Sequence, residues 1–215
     1  MRNNLFFTFF VFAHIILFSQ NFGIRFGATT ATLTGNSDAY EFHLLNSFSP
    51  GYQGSFFGNF ILSDVIIIKP EISYRSYKIK QKINFGTSIM CDAKQMHNVF
   101  SVDLNFDIEL SNDWSFIFGM GLDYLIDQKT ILYFVESTEM FNQDLKFASL
   151  DQRFDPFANI GLCFKLKKTF LVDIEYRHLL DNWGRYNSET SNHIVSAYNG
   201  SVKLHMINLS AAVLF

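Results

Sequence analysis

The sequence predicts an all-β chain: an eight-stranded antiparallel up-and-down transmembrane β-barrel with short periplasmic turns and long extracellular loops. Three observations carry this. The clearest is the run Val99 to Ile126. Phe100, Val102, Leu104, Phe106, Ile108 and Leu110 alternate there with Ser101, Asp103, Asn105, Asp107 and Glu109. A period of two is a β-strand with one apolar and one polar face. After Ser111-Asn112-Asp113 the alternation resumes, with Trp114, Phe116, Phe118, Met120, Leu122 and Tyr124 against Ser115, Gly119, Gly121 and Asp123. Each run is about 11 residues, the length at which a tilted strand crosses a bilayer. The second observation is an even number of such runs, joined by alternating short and long connections. The third is an aromatic content of 17%, with 26 Phe, in a chain that opens like an exported protein.

The opening segment has Arg2, an apolar stretch from Leu5 to Phe18 and then small Ser19. This is the pattern of a secretory signal peptide, with cleavage expected between Ser19 and Gln20. The expected organisation is residues 1–19 as signal and 20–215 as one barrel domain, placed in the outer membrane of a Gram-negative bacterium. Removing residues 1–19 takes away one arginine and no acid, leaving a formal charge of −4. A mildly acidic chain without a basic cluster argues against a nucleic-acid partner. The remaining segments lack the roughly 18 consecutive apolar residues of a membrane helix. Cys91 falls in a polar connection and Cys163 on the polar side of a strand. Whether the two pair is left open, because disulfide geometry is demanding.

In chain order, strand 1 (Phe22 to Thr32) sets Phe22, Ile24, Phe26 and Ala28 against Gly23, Arg25, Gly27 and Thr29. Strand 2 (Tyr52 to Leu62) sets Tyr52, Phe56, Phe60 and Leu62 against Gln53, Ser55, Phe57 and Asn59. After the Ser63-Asp64 turn, strand 3 (Val65 to Tyr77) sets Ile66, Ile68, Pro70, Ile72 and Tyr74 against Lys69, Glu71, Ser73 and Arg75. Pro70 lacks a ladder donor, which predicts a bulge or a strained pair. Residues 78–98 read as a second long connection, 35–50 being the first. Strands 4 and 5 are the hairpin described above. A third connection covers 127–155, including the apolar run Thr130 to Phe141, which either extends strand 5 or forms a partner surface. Strand 6 sets Ala158, Ile160, Leu162 and Phe164 against Asn159, Gly161, Cys163 and Lys165. After Lys167-Lys168-Thr169, strand 7 sets Phe170, Val172, Ile174 and Tyr176 against Asp173, Glu175 and Arg177. The fourth connection is 181–200. Strand 8 (Ser201 to Phe215) ends on Ile207, Leu209, Ala211, Val213 and Phe215, while Val202, Leu204 and Met206 are apolar in the opposite phase. That inversion predicts a bulge near Ile207.

Alternation alone does not say which face is inside. A soluble lipocalin-like carrier, apolar within, is the rival. The acid-and-base polar face, the long connections at one end and the terminal Phe215 favour the membrane barrel. Phe215 resembles the C-terminal signal read by the barrel-assembly machinery. The segment Ser49 to Ile79 resembles the second hairpin of the PorT-like small outer-membrane barrels. It has a Pro-Gly start, a Gly-spaced aromatic strand, a short Leu-Ser-Asp turn and the Pro70-Glu71-x-x-Tyr74 pattern. Gly23 and Gly27 fit as well. The likeness is good through strand 5 and loose beyond. It implies an architecture and no particular activity.

If the polar face is the lumen, it holds Arg25, Lys69, Arg75, Lys165 and Arg177 beside Glu71, Asp103, Asp107, Glu109, Asp123, Asp173 and Glu175. Eight strands enclose room for side chains and not for an aqueous channel. Buried charges must then pair, so the expectation is a structural network that plugs the barrel. A narrow porin-like gated pore and a proton path are the alternatives. Tyr52, Tyr74, Tyr124 and Tyr176 are expected at the outer edge of the membrane and Trp114 at the periplasmic edge, as an aromatic belt. Lys78, Lys80 and Lys82 continue the lipid-facing phase, which places them for contact with lipopolysaccharide phosphates. His43, His97, His178, His193 and His205 have no metal-ligand spacing. No catalytic residue, metal site or cofactor is expected. A hydrolytic set around His178, or around His193 with Ser191, is what a lipid-modifying enzyme would need. The expected function is a structural, adhesion, binding or envelope-assembly protein acting through its external loops, with outer-membrane lipid as its surroundings.

Overall fold

The structure, a computed structural model, describes residues 21–34, 49–85, 89–134, 140–144, 154–167, 169–180 and 203–215. The side chains at 33, 34, 81–93 and 130–144 lie outside that description. The strands are β1 (Asn21–Thr34), β2 (Pro50–Ile61), β3 (Ile66–Phe85), β4 (Ile89–Glu109), β5 (Trp114–Phe134), β6 (Met140–Asp144), β7 (Phe154–Lys167), β8 (Phe170–Leu179) and β9 (Lys203–Leu214). The signal segment, the connections 35–48 and 181–202, His43, His193 and Ser191 lie outside the described residues, as do the side chains of Lys82 and Cys91.

Eight of these strands close an antiparallel barrel. Neighbours run β4-β3-β2-β1-β9-β8-β7-β5, and β5 returns to β4. The ninth, β6, pairs with the far part of β5 (Lys129 to Tyr133), beyond the stretch Trp114 to Tyr124 that holds β7. From Phe22 the ladder leads to Gly58, crosses to Pro70 by the register that Phe57↔Glu71 and Phe60↔Ile68 set on either side, and runs on through Leu104, Met120, Ala158, His178 and His205 to β1 at Thr32, ten residues further on. With a rise of about 3.3 Å and a strand spacing of about 4.75 Å, that stagger gives a tilt of about 41° and a backbone radius of about 8 Å. Such a bore is filled by side chains.

Two of the short turns share one design. In Leu62–Ile66 the Ser63 hydroxyl accepts from the backbone N–H of Val65 (3.3 Å) and Ile66 (3.2 Å). In Leu110–Trp114 the Ser111 hydroxyl accepts from Asp113 (3.3 Å) and Trp114 (3.2 Å). A Ser at this position supplies the acceptor that the tight reversal leaves missing. At the seam the Phe215 N–H donates to the Phe22 carbonyl at 2.8 Å, and the two rings stack at 5.4 Å.

Three expectations about the strands are corrected. Residues 78–85 and 89–98 are not a loop. They continue β3 and β4 as one paired hairpin reaching to Phe85↔Ile89. Residues 127–134 likewise belong to β5, so the connection starts later than 127, and the run from Thr130 begins by extending strand 5, one of its two expected readings, with Met140 and Phe141 opposite Tyr133 and Leu132. No bulge occurs near Ile207, because β9 keeps one register with both neighbours. Leu204 and Met206 are apolar and point inward, each at most 1% exposed. Pro70 also sits without a register shift. The ladder to β2 passes from Phe57↔Glu71 to Phe60↔Ile68 with no pair between, where the proline has no N–H to give.

The first and third corrections have one cause. Below Tyr74 the outward face meets lipid and is apolar. Beyond it the outward face carries Lys78 and Lys80, and the inward face carries Tyr77 and Ile79. Ala31, Tyr77, Ile79, Val99, Leu125, Phe157, Leu179, Leu204 and Met206 join as one buried apolar cap over that end of the lumen. Phe57, Ile117, Cys163, Leu171 and Ala212 form a second cluster near the short-turn end.

Candidate functional site: the charged lumen

Between and beside the two apolar clusters lies the acid-and-base network. Arg25, Lys69, Arg75 and Arg177 are each at most 2% exposed, as deep as any core residue. The alternation turns them inward, so their charge must be met by groups on other strands.

Near the short-turn end, Lys165 pairs with Glu109 and Lys69 with Asp107. Arg25 on β1 reaches across the bore to two walls. Its Nη1 donates to Glu71 Oε2 on β3 at 2.7 Å and to Glu175 Oε1 on β8 at 3.0 Å. Its Nε lies 3.0 Å from Asp173 Oδ2. Further along, two arginines share two aspartates. Arg177 Nη2 donates to Asp103 Oδ2 at 2.6 Å and Nη1 to Asp123 Oδ1 at 3.0 Å. Arg75 Nη2 reaches the same Asp103 oxygen at 3.0 Å, and Nη1 reaches Asp123 Oδ1 at 3.4 Å. The Ser101 hydroxyl accepts from Arg75 and donates to Asp123 Oδ1, both at 2.5 Å. Asn159 donates to Asn105 Oδ1 at 3.0 Å and to Glu175 Oε2 at 3.4 Å.

All twelve residues expected in the lumen face it and take part in these contacts. Sequence reasoning missed the aromatic partners. Phe57 stands between Arg25 (5.1 Å) and Lys69 (5.6 Å), and Phe157 lies under Arg177 (3.5 Å). A desolvated guanidinium gains from a ring face while its edges hold carboxylates. The available signal was an aromatic in the polar phase: Phe57 sits among Gln53, Ser55 and Asn59.

The outward face carries the opposite chemistry. Phe26 is 68% exposed, Met120 64% and Leu209 56%, an apolar belt that an aqueous setting would penalise. Trp114 packs on Phe164 with tilted rings, centroids 4.7 Å apart, at one rim. At the other, Tyr74, Phe100, Tyr124 and Phe154 form one cross-strand row, and Tyr52 meets Tyr74 at 6.2 Å. Trp114 to Tyr124 along β5 corresponds to an apolar band about 25 Å tall at the tilt above. Tyr176 is outward too and packs on His205. Lys78 and Lys80 lie outside this band, with Lys94 directly opposite Lys80. His178, the suggested hydrolytic residue, packs on His205 at 4.8 Å. Cys163 is a free buried thiol in the lower cluster.

This arrangement defines a class: the chain has the fold of the small outer-membrane β-barrels. No family model matches the sequence, and none of the curated proteins does. Among solved structures it is similar to the outer-membrane protein OprG from Pseudomonas aeruginosa, at 12% identity and TM-score 0.50, over 92% of this chain and 96% of that one. It is similar also to Ail, the attachment invasion locus protein of Yersinia pestis (14%, TM-score 0.48, 92% and 99% covered). A third is Neisserial surface protein A (10%, TM-score 0.45, 89% and 96%). At these identities the likeness is one of fold.

Proposed function

We propose that this chain is a sealed outer-membrane barrel of the PorT-like group, exported with loss of its signal segment, whose work is done at its external end. The observation that carries the sealed barrel is the lumen. Four cations buried to within 2% of full enclosure are each held by carboxylates from other walls, and an apolar cap closes the far end. A bore of about 8 Å backbone radius leaves room for side chains and not for an aqueous channel. A carrier of lipocalin type needs the reverse, an apolar cavity inside a polar wall. Among the described residues, what is left to meet partners is the hairpin extension of β3 and β4 with β5 and β6. Liposomes carrying the protein are expected to swell in small sugars no faster than protein-free liposomes. Accelerated swelling would refute the sealed barrel.

The extension's outward lysines support contact with lipopolysaccharide. Lys78, Lys80 and Lys82 share a phase, and Lys94 stands across from Lys80. Like charges directly opposite are unfavourable unless an anion lies between them. Phosphate of the outer leaflet is the anion at that height. Replacing Lys78, Lys80 and Lys82 by Gln should lower stability more in lipopolysaccharide-containing bilayers than in plain phospholipid. Equal losses would reject the contact.

A further inference from the structure

We infer that His178 and His205 form a zinc site on the outer surface of the barrel, a role separate from the sealed lumen and from the lysine patch. The two residues are direct cross-strand partners on β8 and β9. Their Nδ1 atoms converge to 3.3 Å, with the rings 4.8 Å apart at 35°. Zinc binds imidazole nitrogen at about 2.05 Å, and the tetrahedral angle between two such bonds sets the nitrogens about 3.3 Å apart. The pair therefore already has the bite that a tetrahedral ion requires. A square-planar ion would need the nitrogens closer, at about 2.9 Å.

The hydrogen-bond chemistry of the trio points the same way. His205 Nδ1 faces both His178 Nδ1 and the Tyr176 hydroxyl. A ring nitrogen offers either one N–H or one lone pair, so it cannot give both neighbours a full hydrogen bond. An ion between the imidazoles takes up both nitrogen lone pairs. The Tyr176 hydroxyl, which lies against His205 Nδ1, swings off that nitrogen when the ion enters, and water completes the coordination.

Position makes the site reachable. Both histidines are half-buried and outward. With the stagger of the barrel they lie on the order of 20 Å above Phe22, at the height of Tyr52 and Tyr124. This is the rim where β8 and β9 lead into the connection 181–202, so a bound ion would fasten the two strands at its base. The motif is invisible to spacing along the chain, because its ligands are 27 residues apart.

The test uses the full barrel folded in detergent micelles and titrated with Zn²⁺ by calorimetry. One saturable ion per barrel is expected. His178→Ala and His205→Ala should each weaken it at least tenfold, while His43→Ala and His193→Ala leave it unchanged. Co²⁺ should give the visible absorption of a tetrahedral site in the wild type and lose it in His178→Ala. A measurement free of variants is protection from diethyl pyrocarbonate: saturating Zn²⁺ should shield both histidines in the wild type. The inference is overturned if no saturable binding occurs, if His178→Ala binds like wild type, if loss follows His193→Ala instead, or if zinc leaves the modification of both histidines unchanged.

Discussion

Arg177 lies over the face of Phe157, its Cζ 3.5 Å from the ring centroid, while its terminal nitrogens grip Asp103 and Asp123 edge-on. The planar ion is thus desolvated on its face by an aromatic and compensated on its edges by two carboxylates. Arg177→Met would leave Asp103 to Arg75, and Asp123 to Arg75 and the Ser101 hydroxyl. Removing one partner from a buried charge set costs roughly 3–5 kcal/mol, and the urea unfolding midpoint of the folded barrel should fall accordingly. Arg177→Lys should lie between, since it restores the charge without the stack or the fork.

Two glycines are expected to answer alanine oppositely. At Gly121 a Cβ would sit 2.4 Å from the Val102 carbonyl oxygen and 2.5 Å from the Phe157 ring that supports Arg177. Gly121→Ala should destabilise by roughly 1–3 kcal/mol through overpacking. At Gly54, on the lipid face, the nearest atoms are in the Phe26 ring at 3.5 Å. Gly54→Ala should be tolerated or gain up to ~1 kcal/mol by restricting the unfolded chain. Equilibrium unfolding of both variants in one lipid measures the difference.

Phe215 closes the seam by stacking on Phe22 at 5.4 Å and bonding its backbone N–H to the Phe22 carbonyl. Phe215→Ala removes the ring and keeps the hydrogen bond. Stability should drop by about 1 kcal/mol, the scale of one aromatic pair. Insertion assisted by the barrel-assembly machinery should slow far more than that loss explains. Gel-mobility time courses with and without the machinery separate the two effects.

Cys163 is buried among Phe57, Ile117, Leu171 and Ala212. In a Cys91→Ser background a bulky maleimide should fail to label the folded barrel and label it fully in denaturant. Labelling of the folded protein would mean that the lower cluster is open.

The membrane part of the barrel was legible because most positions there obey one rule, apolar toward lipid and polar toward the bore, with Phe57, Ile117, Phe157 and Leu171 as inward exceptions. Arg25, Asp103 and Arg177 could be placed in the lumen on that rule alone. The rule inverts where the wall leaves the bilayer. Tyr77, Ile79, Leu204 and Met206 then turn inward as the cap while Lys78 and Lys80 point outward. Read as a change of phase, that inversion resembles a loop at 78–98 and a bulge at Ile207. It is neither. The pairings across the bore, such as Arg25 with Glu175, and the His178–His205 pair join residues distant in sequence, so only closure of the barrel brings them together.

The most direct test of the sealed barrel is planar-bilayer recording of the purified protein, with insertion verified by heat-modifiable gel mobility. The buried ion pairs and the apolar cap predict a silent baseline across both voltage polarities. Steady, reproducible open-channel steps in the wild-type protein would contradict the account.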